Sequence, residues 1–487
     1  MTISLEAKFD REKINQEKDY VGDLMVTMRA PEDLNRTPIA VALVLDVSGS
    51  MSGLCKDHRT KIEAVKDTAA KLIRNLTEKD KVAIIIYDSY TKVIQDLVNG
   101  GNKEPIIKKI DNLMSGSATN MSGGILQGIS QLNVEFQGVK RVLLLSDGLP
   151  NEGIRDKKEL VALVTSARET CTVSTFGFGN DADQGLLADL AKAGGGNYYF
   201  VESSQDSDMT FARELGGITS CKAQNIEVEI DPHGNEILEV LNDFTVIQQD
   251  KKAVIKADDI YAGEVKNLVI RMKVPKRENP PKDRLYSLAH VTITYDDLEE
   301  KKKVSTKLIP KIDFVPEAEA DKETRLEVAE QVILLEGAKA QREAVKVANT
   351  GDYQGAQTIL RSLNVEMKKV SDRGSTLANM CGIDIENKIS CLTAENYTSS
   401  VANEITSDGI GFAKGRGTGR MSSAVYHTAG VDLMQKNFQT SSNETLNPQV
   451  SNTLNSPNPQ TSSPTNPETP TPDNEKKGFS KTRTSSR

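Results

Sequence analysis

The chain has 487 residues, enough for two or three domains with tails. Its formal net charge of −8 argues against a general nucleic-acid binder. No stretch is apolar enough to span a bilayer. The first residues, Met-Thr-Ile-Ser-Leu-Glu-Ala-Lys, lack the charged and apolar regions of a signal peptide. The five cysteines (Cys55, Cys171, Cys221, Cys381 and Cys391) are odd in number and form no C-x-x-C pair. A reducing compartment, the cytoplasm, is the expected location.

In chain order, residues 1–37 open with strand texture in Ile3–Ala7 and Leu24–Met28. The apolar run Ile39–Leu45 then reads as a strand that ends in Asp46-Val47-Ser48-Gly49-Ser50. Thr60 and Glu63 have capping-box spacing, and Ile62, Val65, Ala69, Leu72, Ile73 and Leu76 follow with a helical period. Val82–Tyr87 is a continuous apolar run, as in a strand covered on both faces. The glycine- and serine-rich stretch Ser115-Gly116-Ser117-Ala118-Thr119-Asn120 leads into a helix at 122–134. A strand at 141–146 ends in Asp147-Gly148. A helix around 157–168, a strand Thr172–Phe176, a helix around 183–193 and a strand Asn197–Val201 complete the set. Strands alternating with helices at this spacing indicate a doubly wound α/β domain with a mostly parallel sheet. Gly177-Phe178-Gly179 lacks the third glycine of a dinucleotide fingerprint and reads as a turn. Gly194-Gly195-Gly196 reads as a helix stop before a strand.

From 218 to 315 the texture changes. Ile226–Ile230, Val254–Lys256, Leu268–Val274 and Val291–Tyr295 alternate, with turn signals between them, as in an antiparallel β-sandwich. The strands of residues 1–37 either join this sandwich, with the α/β domain inserted between, or form a separate hairpin capping the α/β domain. Residues 316–436 are read as a helical region. A first apolar face (Leu326, Ala329, Ile333, Ala338, Ala344, Ala348) breaks at Asn349-Thr350-Gly351-Asp352. A second follows in Tyr353, Ala356, Ile359, Leu360, Leu363 and Met367. One such helical hairpin is too few for a repeat array and is expected to pack on the sandwich. Gly415–Arg420 reads as a glycine-rich connection, since no aromatics interleave with its arginines. From 437 to 487 the chain is rich in Asn, Ser, Thr and Pro, and is expected to be disordered.

In an open parallel sheet, ligands bind outside the carboxyl ends of the strands. Asp46 and Asp147 end two apolar runs and so bring carboxylates to one edge, where Ser48, Ser50 and Thr119 add hydroxyls. Oxygen donors with few carboxylates suit Mg²⁺, with Mn²⁺ as its substitute. A Ca²⁺ loop would be more densely acidic, and Zn²⁺ would call for Cys or His.

This constellation resembles the metal-ion-dependent adhesion site of von Willebrand factor type A domains, with all five positions filled in the right order. The resemblance covers about residues 38–217. It implies that Ser48, Ser50 and Thr119 ligate the metal directly, and that Asp46 and Asp147 do so directly or through water. It also implies that a partner protein's Glu or Asp completes the octahedron. Intracellular and bacterial proteins of this family often carry a β-sandwich neighbour. A scaffold or adaptor is therefore expected rather than an enzyme, with no nucleic acid or membrane span among its partners.

Two enzyme readings compete. A haloacid-dehalogenase-like, Mg²⁺-dependent phosphatase would use Asp46 as nucleophile, but it needs a second Asp two residues on, where this chain has Ser48. A serine hydrolase fails because the centre of Gly49-Ser50-Met51-Ser52-Gly53 is Met51. His58 lies near the metal loop and is expected to be an exposed loop residue. Some A domains serve AAA+ ATPases as adaptors, which is a further role the resemblance allows.

Overall fold

The computed structural model describes residues 3–406, apart from 33–34, 180, 202, 278–279, 282–283, 399–400 and 403–404 and the side chains of 204–209. Gly415–Arg420 and the segment 437–487 lie outside the described residues.

The chain opens with β1 (Ser4–Phe9), β2 (Lys13–Asn15) and β3 (Tyr20–Arg29). The α/β domain follows as β4 (Ile39–Asp46), a 3₁₀ turn Gly49–Ser52, α1 (Lys61–Arg74), β5 (Lys81–Tyr87), β6 (Thr91–Asn99), α2 (Lys103–Asp111) and α3 (Met121–Leu132). It continues through β7 (Val139–Ser146), α4 (Lys157–Ala167), β8 (Thr172–Phe178), α5 (Gln184–Ala193), β9 (Gly195–Val201) and α6 (Ser204–Thr219). Its six strands lie in the order β6-β5-β4-β7-β8-β9. All neighbours are parallel except β5 and β6.

Every residue of β4 is buried, because the sheet is covered on both faces. Alternation along the strand divides these side chains between two cores. Ile39, Val41, Leu43 and Leu45 pack with α1, α2 and α6. Ala40, Ala42 and Val44 pack with α3, α4 and α5. The helical face read from Ile62 to Leu76 is the one α1 and the turn after it bury. β6 has no counterpart in the sequence reading. It is an antiparallel edge strand with no fully buried residue, so neither a continuous apolar run nor a strict alternation marks it.

Ten strands then follow. They are β10 (Cys221–Asp231), β11 (Glu236–Val240), β12 (Thr245–Gln249), β13 (Lys252–Ala257), β14 (Ile260–Tyr261), β15 (Val265–Val274), β16 (Leu285–Ser287), β17 (His290–Asp297), β18 (Lys302–Leu308) and β19 (Lys311–Val315). One sheet runs β12-β13-β10-β17-β18, with β14 beside β10, and another runs β1-β3-β15-β11. A small third sheet joins β16, β19 and β2. The inner faces of the two larger sheets share one core, including Leu24, Val26, Leu268, Ile270, Val228 and Ile293. β3 pairs with β15 along its length, from Tyr20↔Val274 to Arg29↔Val265. β1 and β3 therefore lie within a sandwich sheet, and β2 joins the small third sheet.

The helices α7 (Leu326–Asn349), α8 (Tyr353–Asp372) and α9 (Thr376–Cys391) follow. Val328 and Leu335 of α7 pack on Met25 of β3 and Val269 of β15, which places the helices on the outer face of that sheet. α9 extends the two-helix hairpin and contributes Cys381 and Ile385 to its core.

Candidate metal centre

Asp46 is the last residue of β4, and Asp147 directly follows β7. β4 is flanked by β5 on one side and β7 on the other, so the two carboxylates bracket the point where the strand order reverses. That crevice is where open α/β sheets bind ligands. Thr119 sits in the loop between α2 and α3, directly before Asn120, the N-cap of α3.

Backbone and side-chain hydrogen bonds tie the three segments together pairwise. Gly49 N–H donates to Ser117 C=O over 2.9 Å, joining the first loop to the second. A Cβ at residue 49 would lie 3.2 Å from that same oxygen, so the approach suits glycine. Thr119 N–H donates to Asn151 Oδ1 over 2.7 Å, and Asn151 N–H returns a bond of 3.1 Å to Thr119 C=O. That pair joins the second loop to the third. Ser146 Oγ donates to Asp46 Oδ2 over 2.6 Å, joining the third to the first.

Asp46 is fully buried, and its carboxylate is well supplied with donors. Ser48 N–H reaches Oδ1 at 2.9 Å, and the Tyr87 hydroxyl reaches Oδ2 at 3.2 Å beside Ser146. Burial nevertheless pushes its pKa up to about 6. The bonds from Ser146 and Ser48 act the other way, and the neighbouring Asp147 charge adds to the rise. Ser48 Oγ and Ser50 Oγ are 3.1 Å apart. Ser48 and Thr119 are buried, whereas Ser50 is exposed at the outer rim.

Asp147 is buried and its two oxygens differ. Oδ2 accepts from Lys61 Nζ over 3.2 Å, whereas Oδ1 is buried with no hydrogen-bond partner. Buried carboxylate oxygens are seldom left alone, so an orphan of this kind fits a site that takes a cation. Among the described residues, no group of three or more His, Cys, Asp or Glu is placed to hold a metal. The set here instead combines two carboxylates with hydroxyls, a donor chemistry suited to Mg²⁺ or Mn²⁺.

The structure thus brings the segments of Asp46, Ser48, Ser50, Thr119 and Asp147 to one edge. It adds Tyr87, Ser146, Asn151 and Lys61, which the sequence reading did not single out. Tyr87 and Ser146 occupy the ends of apolar strands and look like ordinary core termini, and Asn151 looks like a turn residue. His58 is exposed in the loop before α1.

Residues 40–213 match the family model described as von Willebrand factor type A domain. The uncharacterized protein YfbK of Escherichia coli is 27% identical over 213 residues, covering 43% of this chain and 36% of that protein. The chain thus spans about a third of that relative's length. The uncharacterized protein sll0103 of Synechocystis is 24% identical over 355 residues, which is 70% of this chain and 81% of that protein. Among solved structures, a von Willebrand factor type A protein from Catenulispora acidiphila superposes with a TM-score of 0.66 at 16% identity. It covers 84% of this chain and 96% of its own, which extends the shared fold well beyond the α/β domain. Residues 40–213 thus match the von Willebrand factor type A domain, and the chain has a von Willebrand factor type A-like α/β fold.

Proposed function

We propose that this protein is a divalent-metal-dependent protein-binding module. Asp46, Ser48, Ser50, Thr119 and Asp147 would hold Mg²⁺, or Mn²⁺ in its place. A partner's Glu or Asp would join them, so that the protein acts as a non-catalytic scaffold or adaptor. Bound there, the ion would supply a Lewis-acidic point for an anionic oxygen.

The observation that carries this reading is Asp147 Oδ1, buried and without a partner where three loops meet. Hydrogen bonds also hold other oxygens of the proposed set. Asp46 is fixed by Ser48, Tyr87 and Ser146, and the Ser48 and Ser50 hydroxyls are paired. The binding-module reading is also supported by the hydroxyl at position 48, where a phosphatase of the competing type would need a carboxylate. All five cysteines are unpaired and four of them are buried, which supports the cytoplasm as location.

The test is calorimetric titration with Mn²⁺. The wild-type chain binds one ion, and Asp46→Ala loses that binding while keeping its circular dichroism spectrum. Thr119→Ala keeps much of the Mn²⁺ affinity but loses a partner that is recovered with Mg²⁺ and released by EDTA. Equal Mn²⁺ affinity in wild type and Asp46→Ala would remove the site.

A further inference from the structure

Lys61 is the first residue of α1, and its side chain is only 2% exposed. Its Nζ lies 3.2 Å from Asp147 Oδ2 and 2.6 Å from Asp181 Oδ1. An ammonium out of water is costly unless paired, so this placement has to be enforced by its surroundings.

The backbone supplies the enforcement. A Cβ on Gly53 would come within 3.5 Å of Lys61 Cε, and one on Gly179 within 2.5 Å of the same atom. The Lys61 stem therefore runs past two glycines. Gly179 also has φ +83°, a conformation that L side chains rarely adopt. The second glycine of Gly177-Phe178-Gly179 thus does more than turn the chain after β8, since it leaves room for this lysine. Lys61 N–H is itself held by Gly53 C=O over 2.8 Å.

We propose that Lys61 sets the charge of the metal centre, a role that rests on the metal reading above. Its ammonium pairs with Asp147 Oδ2 and not with the orphaned Oδ1, and its charge restrains the affinity for a cation there. The consequence is electrostatic. Asp46 and Asp147 together cancel a divalent charge, but the Lys61 ammonium offsets one of the two carboxylates. A bound ion therefore retains net positive charge and attracts an anionic oxygen from outside. Asp181 belongs to the same arrangement from the solvent side. Its carboxylate is 65% exposed, so water and salt screen its contribution.

The experiment is Mn²⁺ calorimetry on the full chain with Lys61→Met, which keeps an unbranched stem and removes the charge. Two charges a few ångströms apart at an effective dielectric near 20 interact by more than 1.4 kcal/mol, so Mn²⁺ should bind at least about tenfold more tightly. Packing damage alone would weaken binding, so a gain in affinity is specific to the proposed role. Unchanged or weaker binding by a folded Lys61→Met protein overturns it. If that variant does not fold, Lys61→Gln decides, since it keeps a hydrogen-bond donor toward Asp147 without the charge. Mn²⁺ should again bind at least about tenfold more tightly, and unchanged or weaker binding overturns the proposal. A wild-type chain that takes up no Mn²⁺ removes the metal centre, and this inference with it.

Discussion

At the scale of single residues, Asp46 would link protonation to metal binding at the proposed site. Burial raises its pKa to about 6, although Ser146 and Ser48 donate to it. The folded protein therefore holds this proton more tightly than the unfolded chain does. In the metal-free protein, Asp46 stabilises the fold at low pH, and that contribution is lost as pH rises from the ordinary carboxylate range through about 6. A cation reverses the preference because it takes the ionised form. Mn²⁺ affinity should accordingly be flat above pH 7 and fall about tenfold between pH 7 and pH 5, with uptake of about one proton on metal release. Calorimetry at several pH values, in buffers of different ionisation enthalpy, measures both quantities. A flat affinity across that range would mean that Asp46 is not part of the ion's electrostatic environment. The segments of the five proposed oxygen donors, which the fold brings to one edge, could be picked out of the sequence because strand ends and turn residues are local signals. Tyr87, Ser146, Asn151 and Lys61 could not, because each acts on a residue brought close by the fold. The Lys61–Asp147 pair in particular spans 86 positions.

At the scale of elements, helix starts were the most legible feature. The Thr60–Glu63 capping box is present in both directions. Glu63 N–H donates to Thr60 Oγ1 over 3.3 Å, and Thr60 N–H donates to Glu63 Oε2 over 2.8 Å. This cap sets where α1 begins, and therefore where Lys61, its first residue, leaves the backbone. Thr60→Ala should cost about 1 kcal/mol, seen as a lower urea midpoint with an unchanged slope. A change well below that would show that tertiary packing, and not the cap, fixes the start of α1. The strands covered on both faces were equally legible, because continuous apolar runs such as Val82–Tyr87 are distinctive. β6 escaped because it is an edge strand whose two faces are each only partly covered. α2 is short, and α6 carries a polar first half, so neither shows a long apolar period.

At the scale of the whole molecule, the α/β domain is spliced into the sandwich through two connections that run side by side. Thr37 N–H donates to Thr219 C=O over 2.7 Å, and Thr37 Oγ1 donates to Cys221 C=O over 2.9 Å. Below this splice, a buried ionic group ties the two bodies together. Arg141 of β7 is fully buried, with Nη2 2.9 Å from Asp259 Oδ2, on the sandwich side, and Nη1 3.7 Å from Glu214 of α6. Gln224 of β10 donates to the same Asp259 oxygen over 3.2 Å. Alternation and helical period reveal each body but not this link, because a lone Arg in a strand carries no signal of its distant partner. Removing Asp259 leaves the buried guanidinium with Glu214, 3.7 Å away, as a counter-charge. Asp259→Ala should therefore cost about 2–3 kcal/mol in urea unfolding, whereas Arg141→Met, which takes the counter-charge from buried Asp259 and Glu214 together, should cost about 3–5 kcal/mol. If Arg141→Met costs no more than Asp259→Ala, packing and not charge pairing sets the stability of this junction. If Asp259→Ala costs under about 1 kcal/mol, water reaches Arg141 and the ion pair does not join the two bodies.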